Sequence, residues 1–315
     1  MSVLTSRGCP YACTFCNSSQ IFHRKVRRRS PENVLNEVES LIKDYRIDGI
    51  YFHDETFPMF NNDWLKVLCA GLERLGIKWG CETTVSVINT CKEDTIEMVR
   101  KSGCVQVDVG MESSSDRMLK KIKKGHTREQ GIRAFKFLKD HNIRSFTSFI
   151  IGLPDENEDD LKANLSFFDE ILPSFTYFNL LTPFPGTAIT DRAIREGKLD
   201  KSYFFKDYDM LIETKPLVNL SNVSTDTLMA YHRKLRNRVF IKNYLSLLTI
   251  NNFKFILKAT FSFFLTPRLV IKSIKDLFNT RNVEAFVFSV FSSYQRWESR
   301  KFNKVLIKKA QEIQK

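Results

Sequence analysis

The sequence contains no long uncharged apolar run, and none of its 12 glycines lies beyond Gly197. The longest apolar candidate, 259–267, is far shorter than the roughly 20 residues of a membrane-spanning helix. A charged leader followed by an apolar segment is also missing, because Met1 is followed at once by SVLTSRG. These absences predict a cytoplasmic chain in a reducing environment. There, clustered cysteines indicate metal ligands rather than disulfides.

The excess positive charge lies in the C-terminal third. Residues 221–315 contain 18 Lys and Arg against 5 Asp and Glu, whereas residues 1–220 contain 31 of each, so the net charge of +13 belongs to the tail. We therefore predict two regions, 1–220 and 221–315. The tail predicts an anionic partner: a membrane surface, which would place the chain peripherally at the inner face, or, ranked lower, nucleic acid. A merely solvated basic surface stays open.

The tail is also rich in phenylalanine and has a helical pattern. Its apolar residues recur at helical spacing, with Lys254 and Lys258 off that stripe. The stripe consists of Phe253, Ile256, Leu257, Thr260, Phe261 and Phe264. Such a helix either lies in a membrane interface or packs on its own domain.

The first 220 residues alternate β-type runs with helical stretches. Strands are predicted at 3–5, 49–53, 77–84, 105–109, 144–151 and 176–181. Helices are predicted at 31–45, 63–75, 92–102, 127–141 and 158–172. Regular alternation favours a parallel sheet with helical crossovers, and six units are fewer than the eight of a closed barrel. The predicted fold is α/β, a partial (β/α)6 TIM-like barrel with a C-terminal helical extension.

Three cysteines are closely spaced after the first strand: Cys9, Cys13 and Cys16. Thiolates bind iron well, and three of them in one loop predict a [4Fe–4S] cluster whose fourth iron is open. Structural zinc requires four ligands, and His23 lies among arginines and lysines, a poor setting for a dication. A chance spacing of core thiols is the remaining alternative.

The other ionisable candidates have weaker patterns. Cys69, Cys81, Cys91 and Cys104 lack metal-type spacing, and Cys81 and Cys104 are predicted to be buried thiols. His53 precedes the pair Asp54 and Glu55 and is either structural or a proton donor.

The cysteine segment TSRGCPYACTFCN at 5–17, with Phe15 before the last cysteine, resembles the cluster loop of the radical S-adenosylmethionine superfamily. The resemblance runs from about residue 2 to residue 197 and is close to the cobalamin-linked branch of anaerobic cyclases and C-methyltransferases. It rests also on FHDETF at 52–57, GMES at 110–113, LKKIKKGHT at 119–127, IGLPDE at 151–156 and TPFPGT at 182–187.

The resemblance implies cofactor-binding roles at the carboxyl ends of the strands. It places Asp54 and Glu55 at the methionyl ammonium of S-adenosylmethionine, and Glu112 and Ser113 at its ribose or methionyl part. It also implies a cofactor contact at Phe15, and it places the strand end at Ile151 and the pair Thr182 and Pro183 beside the adenine.

The resemblance further implies a reaction. The cluster would cleave S-adenosylmethionine reductively to a 5′-deoxyadenosyl radical, which would start a C-methylation, cyclisation or rearrangement of an unidentified hydrophobic or natural-product substrate. The basic, Phe-rich tail favours a lipid-like substrate. A reductant such as ferredoxin or flavodoxin is implied as a partner.

Two departures from the branch bear on this expectation. The branch normally carries an N-terminal cobalamin-binding domain, whereas the first predicted strand begins near residue 2. Cobalamin is therefore not supported by this chain alone, and a separate cobalamin-binding subunit, a gene fragment and loss of cobalamin all stay open. The branch also often has Arg and Asp where this sequence has Thr84 and Ser86. These positions predict a missing polar contact. An enzyme similar to tRNA methylthiotransferases and a non-catalytic truncated paralogue are the alternative functions.

Overall fold

We describe the fold from a computed structural model, which covers residues 1–171, 173–200, 216–247 and 271. The chain divides into two compact units, Met1–Arg236 and Asn237–Lys315. Residues 221–236 fall in the first unit, and the separate region 221–315 stays a prediction. The predicted helical stripe at 253–264 lies outside the described residues. Among the residues described, no helix is long and apolar enough to cross a membrane.

The described residues contain eight strands: Ser2–Val3 (β1), Ser6–Arg7 (β2), Arg27–Arg28 (β3), Gly49–Phe52 (β4), Lys78–Thr84 (β5), Cys104–Glu112 (β6), Arg144–Ile151 (β7) and Phe175–Leu180 (β8). Six of them form one sheet in the order β1-β4-β5-β6-β7-β8, and every pairing in it is parallel. β2 and β3 form a separate antiparallel hairpin. Because β1 and β8 lie at opposite ends of this order, the sheet is open, and the predicted six-stranded partial barrel is confirmed.

Ten helices are described, and all but the last two lie between strands: Ser18–Ile21 (α1), Pro31–Tyr45 (α2), Asp63–Leu75 (α3), Val85–Thr90 (α4), Glu93–Lys101 (α5), Asp116–Lys121 (α6), Arg128–Asp140 (α7), Glu158–Ile171 (α8), Ala188–Arg195 (α9) and Thr225–Leu247 (α10). α2 begins where the Ser30 side chain accepts a hydrogen bond from Asn33 N and Pro31 occupies the first turn. A capping box formed by Thr127 and Gln130 starts α7.

Alternating burial along the strands separates the two faces of the sheet. In β7 the side chains of Ser145, Thr147, Phe149 and Ile151 are buried, whereas the residues between them are at least partly exposed. The buried face packs aromatic rings, including Phe149 with Phe178 at 4.9 Å between ring centroids. The other face, which we call the inner face, is left accessible beneath the strand ends that carry the candidate site.

Candidate functional site

The three cysteines lie together on the loop between β2 and α1. All three thiols are free and partly exposed. Thr14, in the middle of the loop, donates its N–H to Ile122 O at 3.0 Å, and its own carbonyl accepts from Ile189 N at 3.3 Å. The loop is therefore fixed to segments that follow β6 and β8. This places the thiols at the carboxyl-terminal edge of the sheet, where chemistry gathers in such folds.

Gly8 sets the backbone direction on entry to this loop. Its φ is +99°, and a Cβ built there would lie 2.1 Å from Lys25 O, so a side chain cannot be accommodated without moving backbone. Gly8 N donates to Glu55 Oε2 at 2.9 Å. Glu55 thus contacts the residue just before Cys9, although 47 positions separate Glu55 from Gly8 in sequence.

Asp54 lies beneath the same segment and is fully buried. Its carboxylate accepts hydrogen bonds from Thr5 N at 2.7 Å, from Thr5 Oγ1 at 2.5 Å and from Ser6 Oγ at 2.5 Å. Burying a carboxylate is unfavourable unless it is hydrogen-bonded, and here both oxygens are engaged. Asp54 therefore fixes the chain between β1 and β2, and its predicted contact with S-adenosylmethionine stays a prediction.

Glu112, the last residue of β6, forms a buried ion pair with Lys124. Lys124 Nζ donates to Glu112 Oε1 at 3.0 Å, and both side chains are at most 10% exposed. Burial by itself would lower the pKa of the Lys124 ammonium, but the negative charge of the hydrogen-bonded Glu112 carboxylate is the main effect that outweighs it and raises that pKa. Lys124 therefore stays charged beside the cysteines.

The local backbone brings this pair to the loop. Glu112 has a left-handed φ of 64°, which turns its side chain back over Gly110, where a Cβ would lie 2.4 Å from Glu112 Oε1. Lys124 Nζ also lies 5.6 Å from the centre of the Phe15 ring, a cation–π distance.

Phe15 packs against a buried apolar cluster between the loop and the last two strand ends. The cluster is formed by Met118, Ile122, Leu153, Leu181, Ile189, Ala193, Leu199, Val218 and Leu220. The other predicted cofactor residues lie at the ends of β6, β7 and β8: Ser113 and Ile151 are fully buried, Pro183 is buried and Thr182 is partly exposed. The structure therefore brings the predicted residues to one edge of the sheet, and their contacts with a cofactor stay predictions.

Thr84 and Ser86, where a polar contact was expected to be missing, both make hydrogen bonds. Thr84 Oγ1 lies 3.4 Å from the Tyr11 hydroxyl in the cysteine loop and also caps α4 by accepting from Val87 N. Ser86 Oγ donates to Gly125 O at 3.1 Å, next to Lys124. The end of β5 is thus connected to the cysteine loop and to the turn that carries Lys124.

The inner face below this edge is half acidic and half aromatic. Glu82, Asp108, Phe146 and Phe175 lie in register on the four adjacent strands β5 to β8. Asp108 accepts from the Tyr51 hydroxyl at 2.6 Å, and burial raises the pKa of both carboxyls, Asp108 and Glu82.

His53 belongs to this face. It is largely exposed, and its Nδ1 lies 3.4 Å from Glu82 Oε1. Within the described part of the chain no Lys or Arg forms an ion pair with Glu82 or Asp108. The acidic half of the face is therefore better suited to a neutral or cationic group than to a phosphate.

The chemistry of the thiols decides which group could bind at the loop. Around the described residues no three His, Cys, Asp or Glu side chains converge on a single metal ion. A cubane cluster requires instead one thiolate for each of three irons. A cavity of about 350 Å³ opens against Cys13 and Cys16. Three accessible thiols on one loop with a cation behind them fit a cubane. Burial raises the pKa of Cys13 to about 11, so binding of iron would displace its proton.

The fold and the loop together define an iron–sulfur enzyme class built on an open parallel barrel. The sequence-family model of the radical SAM superfamily matches residues 3–168, and the chain therefore belongs to this superfamily.

Two curated relatives illustrate the similarity. An uncharacterized methyltransferase of Pyrococcus horikoshii is 32% identical over 86% of this chain and 53% of its own length. The anaerobic magnesium-protoporphyrin IX monomethyl ester cyclase of Rubrivivax gelatinosus is 28% identical over 75% of this chain and 42% of its own length. The chain spans about half the length of the curated relatives it matches.

A solved structure shares the fold. The radical S-adenosylmethionine methyltransferase TsrM of Kitasatospora setae, described with cobalamin and a [4Fe–4S] cluster bound, has a TM-score of 0.55 and 21% identity. The match covers 62% of this chain and 39% of TsrM. The predicted resemblance to the cobalamin-linked radical enzymes is confirmed.

The sequence pattern assigns no role to Lys124, although Lys124 lies in the segment 119–127 that carries the resemblance. The pattern also assigns no role to Thr5 and Ser6, which hold Asp54. Lys124 is surrounded by lysines in sequence, and nothing in the pattern marks the one whose side chain is buried. Its position alone distinguishes Lys124 in the sequence, because it lies between Ile122 and Gly125 in the turn that follows the short helix α6.

Proposed function

We propose that this chain binds a [4Fe–4S] cluster on Cys9, Cys13 and Cys16 and uses it with S-adenosylmethionine to start a radical reaction. The observation that carries the proposal is the position of these three accessible thiols, on one loop at the carboxyl edge of an open parallel sheet, beside the buried Lys124–Glu112 pair. When bound, the cluster supplies the electron that cleaves the sulfonium C–S bond.

The residues around the loop have distinct roles in this proposal. Lys124 provides a fixed positive charge against the negative charge of the thiolates and of a methionyl carboxylate. Glu55 uses one oxygen to accept from Gly8 N, and its other oxygen takes no hydrogen bond from the described residues. Glu55 is therefore better supported than Asp54 as the partner of the methionyl ammonium, because both oxygens of Asp54 are occupied.

The opposite side of the site would hold the adenosyl part. Phe15 presents partly exposed apolar surface there, which suits an adenine ring. Ile151 and Pro183 are buried, so they would shape this side of the site through the backbone of their strand ends. A carboxylate accepts hydrogen bonds through both oxygens. Lys124 donates to Oε1 of Glu112, so Oε2 would accept from a ribose hydroxyl. Ser113 is fully buried behind it and would act on the backbone rather than on the ligand.

The substrate would lie on the inner face, below the cluster loop. Phe146 and Phe175 stack at 4.9 Å between ring centroids and supply apolar contact. In the same row, Glu82 offers an acceptor, while both oxygens of Asp108 already accept hydrogen bonds, from Tyr51 and Gln106. This surface supports an amphipathic, lipid-like substrate with a neutral or cationic polar end. It gives little support to the alternative of an RNA substrate, since phosphates would meet carboxylates.

The reaction on that substrate would be a C-methylation, a cyclisation or a rearrangement. Two relatives support the first two outcomes, one described as a methyltransferase and one as a cyclase. We retain a separate cobalamin-binding subunit as a hypothesis for the methylation outcome. Association of the basic region 221–315 with an anionic membrane likewise stays a prediction, and loss of liposome sedimentation on deletion of residues 243–315 would support it.

The experiment is a reductive cleavage assay on the full chain. After anaerobic purification and cluster reconstitution, dithionite and S-adenosylmethionine should yield 5′-deoxyadenosine. Cys13→Ala should lose both iron and product. Cys91→Ala, a partly exposed thiol outside the loop, should retain both. Bound iron and sulfide without product would favour the non-catalytic alternative, and no iron uptake would remove the cluster proposal itself.

A further inference from the structure

The first 31 residues hold six basic side chains and no acidic one, although residues 1–220 as a whole are balanced. Five of the six are exposed, and the structure brings them together around the β2–β3 hairpin: Arg7, Arg24, Lys25, Arg27 and Arg28. We call these five residues the basic hairpin. Arg29 differs, because it is half-buried and pairs with Glu37 at 2.5 Å. Among the described residues no Asp or Glu forms an ion pair with any of the five.

The register of the hairpin is unfavourable for an isolated protein. Arg7 and Arg27 are direct partners across the antiparallel pair. Like charges directly opposite each other destabilise a strand pair, and here no carboxylate of the described residues pairs with them. Because the short strand pair keeps the guanidinium groups of Arg7 and Arg27 close together, an anionic partner would relieve their repulsion.

The basic hairpin adjoins the cluster loop rather than the substrate side. Arg24 Nε donates to Pro10 O at 3.1 Å, between Cys9 and Cys13. The cavity against Cys13 and Cys16 is lined on its basic side by His23, Arg24 and Lys123. An acidic molecule seated on the hairpin would therefore stand directly beside the thiolates.

The same surface exposes apolar side chains. Ile21 is 60% exposed and Val26 is 39% exposed, both in the segment that joins the cysteine loop to β3. Apolar residues rimmed by charges of one sign are typical of a protein–protein contact, in which charge guides the encounter and apolar area is buried. A nucleic acid would use the charges but not the apolar residues, and the substrate side of the site is acidic.

We propose that the basic hairpin is the docking surface for an acidic, low-potential electron-carrier protein of the flavin or iron–sulfur class. This inference rests on the proposed function. In the step it serves, one electron leaves the reduced carrier, which is oxidised by one electron, and enters the cluster; no bond is formed or broken between the two proteins.

The test compares a protein donor with a small one on the full-length, reconstituted enzyme. The rate of 5′-deoxyadenosine formation is measured with reduced flavodoxin and, separately, with dithionite. The variant combines Lys25→Glu with Arg27→Glu, and the second change sets a carboxylate opposite Arg7 in the strand pair. The matched control is Lys136→Glu with Lys139→Glu, two exposed lysines on α7.

We expect the hairpin variant to lose about tenfold or more of the flavodoxin-supported rate at low salt and to keep the dithionite-supported rate within about twofold. The control should keep both rates. The flavodoxin-supported rate of the wild type should fall as ionic strength rises, and that of the variant should change little.

Equal flavodoxin-supported rates in variant and control, or a wild-type rate that ignores salt, would overturn the inference. Titration calorimetry with flavodoxin keeps the two proposals separable, because salt-dependent binding at the hairpin is measurable even if no 5′-deoxyadenosine forms. If instead the variant loses binding of a single-stranded RNA oligonucleotide and keeps binding of flavodoxin, the surface belongs to nucleic acid and the inference is wrong.

Discussion

Lys124 and Glu112 form an ion pair that is almost closed to solvent, with 3.0 Å between Nζ and Oε1. The pair joins the end of β6 to the turn after α6, and its cation lies over the Phe15 ring in the cysteine loop. The cysteine loop thus meets the connection between β6 and α7 at one buried charge.

Removal of the cation from this pair should be strongly destabilising. Lys124→Met leaves a buried carboxylate without its counter-charge, which we expect to lower the free energy of unfolding by about 3–5 kcal/mol. Lys124→Met combined with Glu112→Gln should lower it less than Lys124→Met alone, because no charge is then left unpaired. Denaturant unfolding measures all three proteins. Lys120→Met, at an exposed lysine of α6, is the control and should change stability by less than about 0.5 kcal/mol.

Gly8→Ala should disturb the cysteine loop more than an ordinary positive-φ substitution does. A Cβ at Gly8 would meet Lys25 O at 2.1 Å, whereas at Gly186, with φ +78°, nothing lies within 4 Å. Both variants carry left-handed strain of on the order of 1 kcal/mol, and only the first adds a backbone clash. We expect Gly8→Ala to lose most reconstituted iron and Gly186→Ala to retain it, as measured by iron and sulfide content. Equal iron contents would show that the loop entry is adaptable.

Glu156 should make stability depend on pH. Its side chain is fully buried, Oε2 accepts from Gly152 N at 2.6 Å, and Oε1 has no partner among the described residues. Burial raises the pKa of Glu156 to about 8 from its ordinary 4.5. Between these values the native state holds a proton that the unfolded state releases, so the free energy of unfolding falls as pH rises through this window.

Glu156→Gln removes this titration while keeping an acceptor for Gly152 N. Relative to the wild type, the variant should gain stability as pH rises from 5 to 8, by on the order of 1–3 kcal/mol. Thermal unfolding at a series of pH values measures the difference. A constant difference across the series would show that the buried carboxyl does not titrate there.

Thr84 should support the cysteine loop through its hydroxyl. Thr84→Val keeps the shape but removes the cap of α4 and the contact with Tyr11, and should lower the free energy of unfolding by about 1 kcal/mol. Thr84→Ser keeps the hydroxyl and should stay closer to the wild type. If Val and Ser are indistinguishable in thermal unfolding, the hydroxyl contacts contribute nothing measurable.

The elements with clear ends were predictable from the sequence. α2 and α3 begin and end at the predicted residues, because Ser30 and Asn62 cap their first turns and left-handed residues end them. The six parallel strands were also predicted, since each is an apolar run between helical stretches. Short elements were missed: α4, α6 and α9 have eight residues or fewer, too few to establish a helical period.

The site was predictable only where its residues are local in sequence. The spacing of Cys9, Cys13 and Cys16 predicts a shared binding site by itself, because residues so close in sequence must lie on one loop. The partners of Asp54 and Glu112 were not predictable, since they depend on register and on a left-handed turn at Glu112. Whether a polar strand end faces a ligand or its own backbone is decided by such geometry, as the different surroundings of Asp54 and Glu55 illustrate.

The carboxylate of Asp54 has a consequence for grafting. Because Asp54 positions Thr5 and Ser6 from 48 or more residues away, the cysteine-bearing peptide does not carry its own shape. A graft of residues 5–17 alone into another barrel would transfer the three cysteines without Asp54, whose hydrogen bonds fix the backbone before them. A graft that also includes the segment after β4 would transfer both the cysteine loop and the carboxylate that positions it. Insertions in the chain between these two segments should be tolerated so long as β1 and β4 remain neighbours in the sheet.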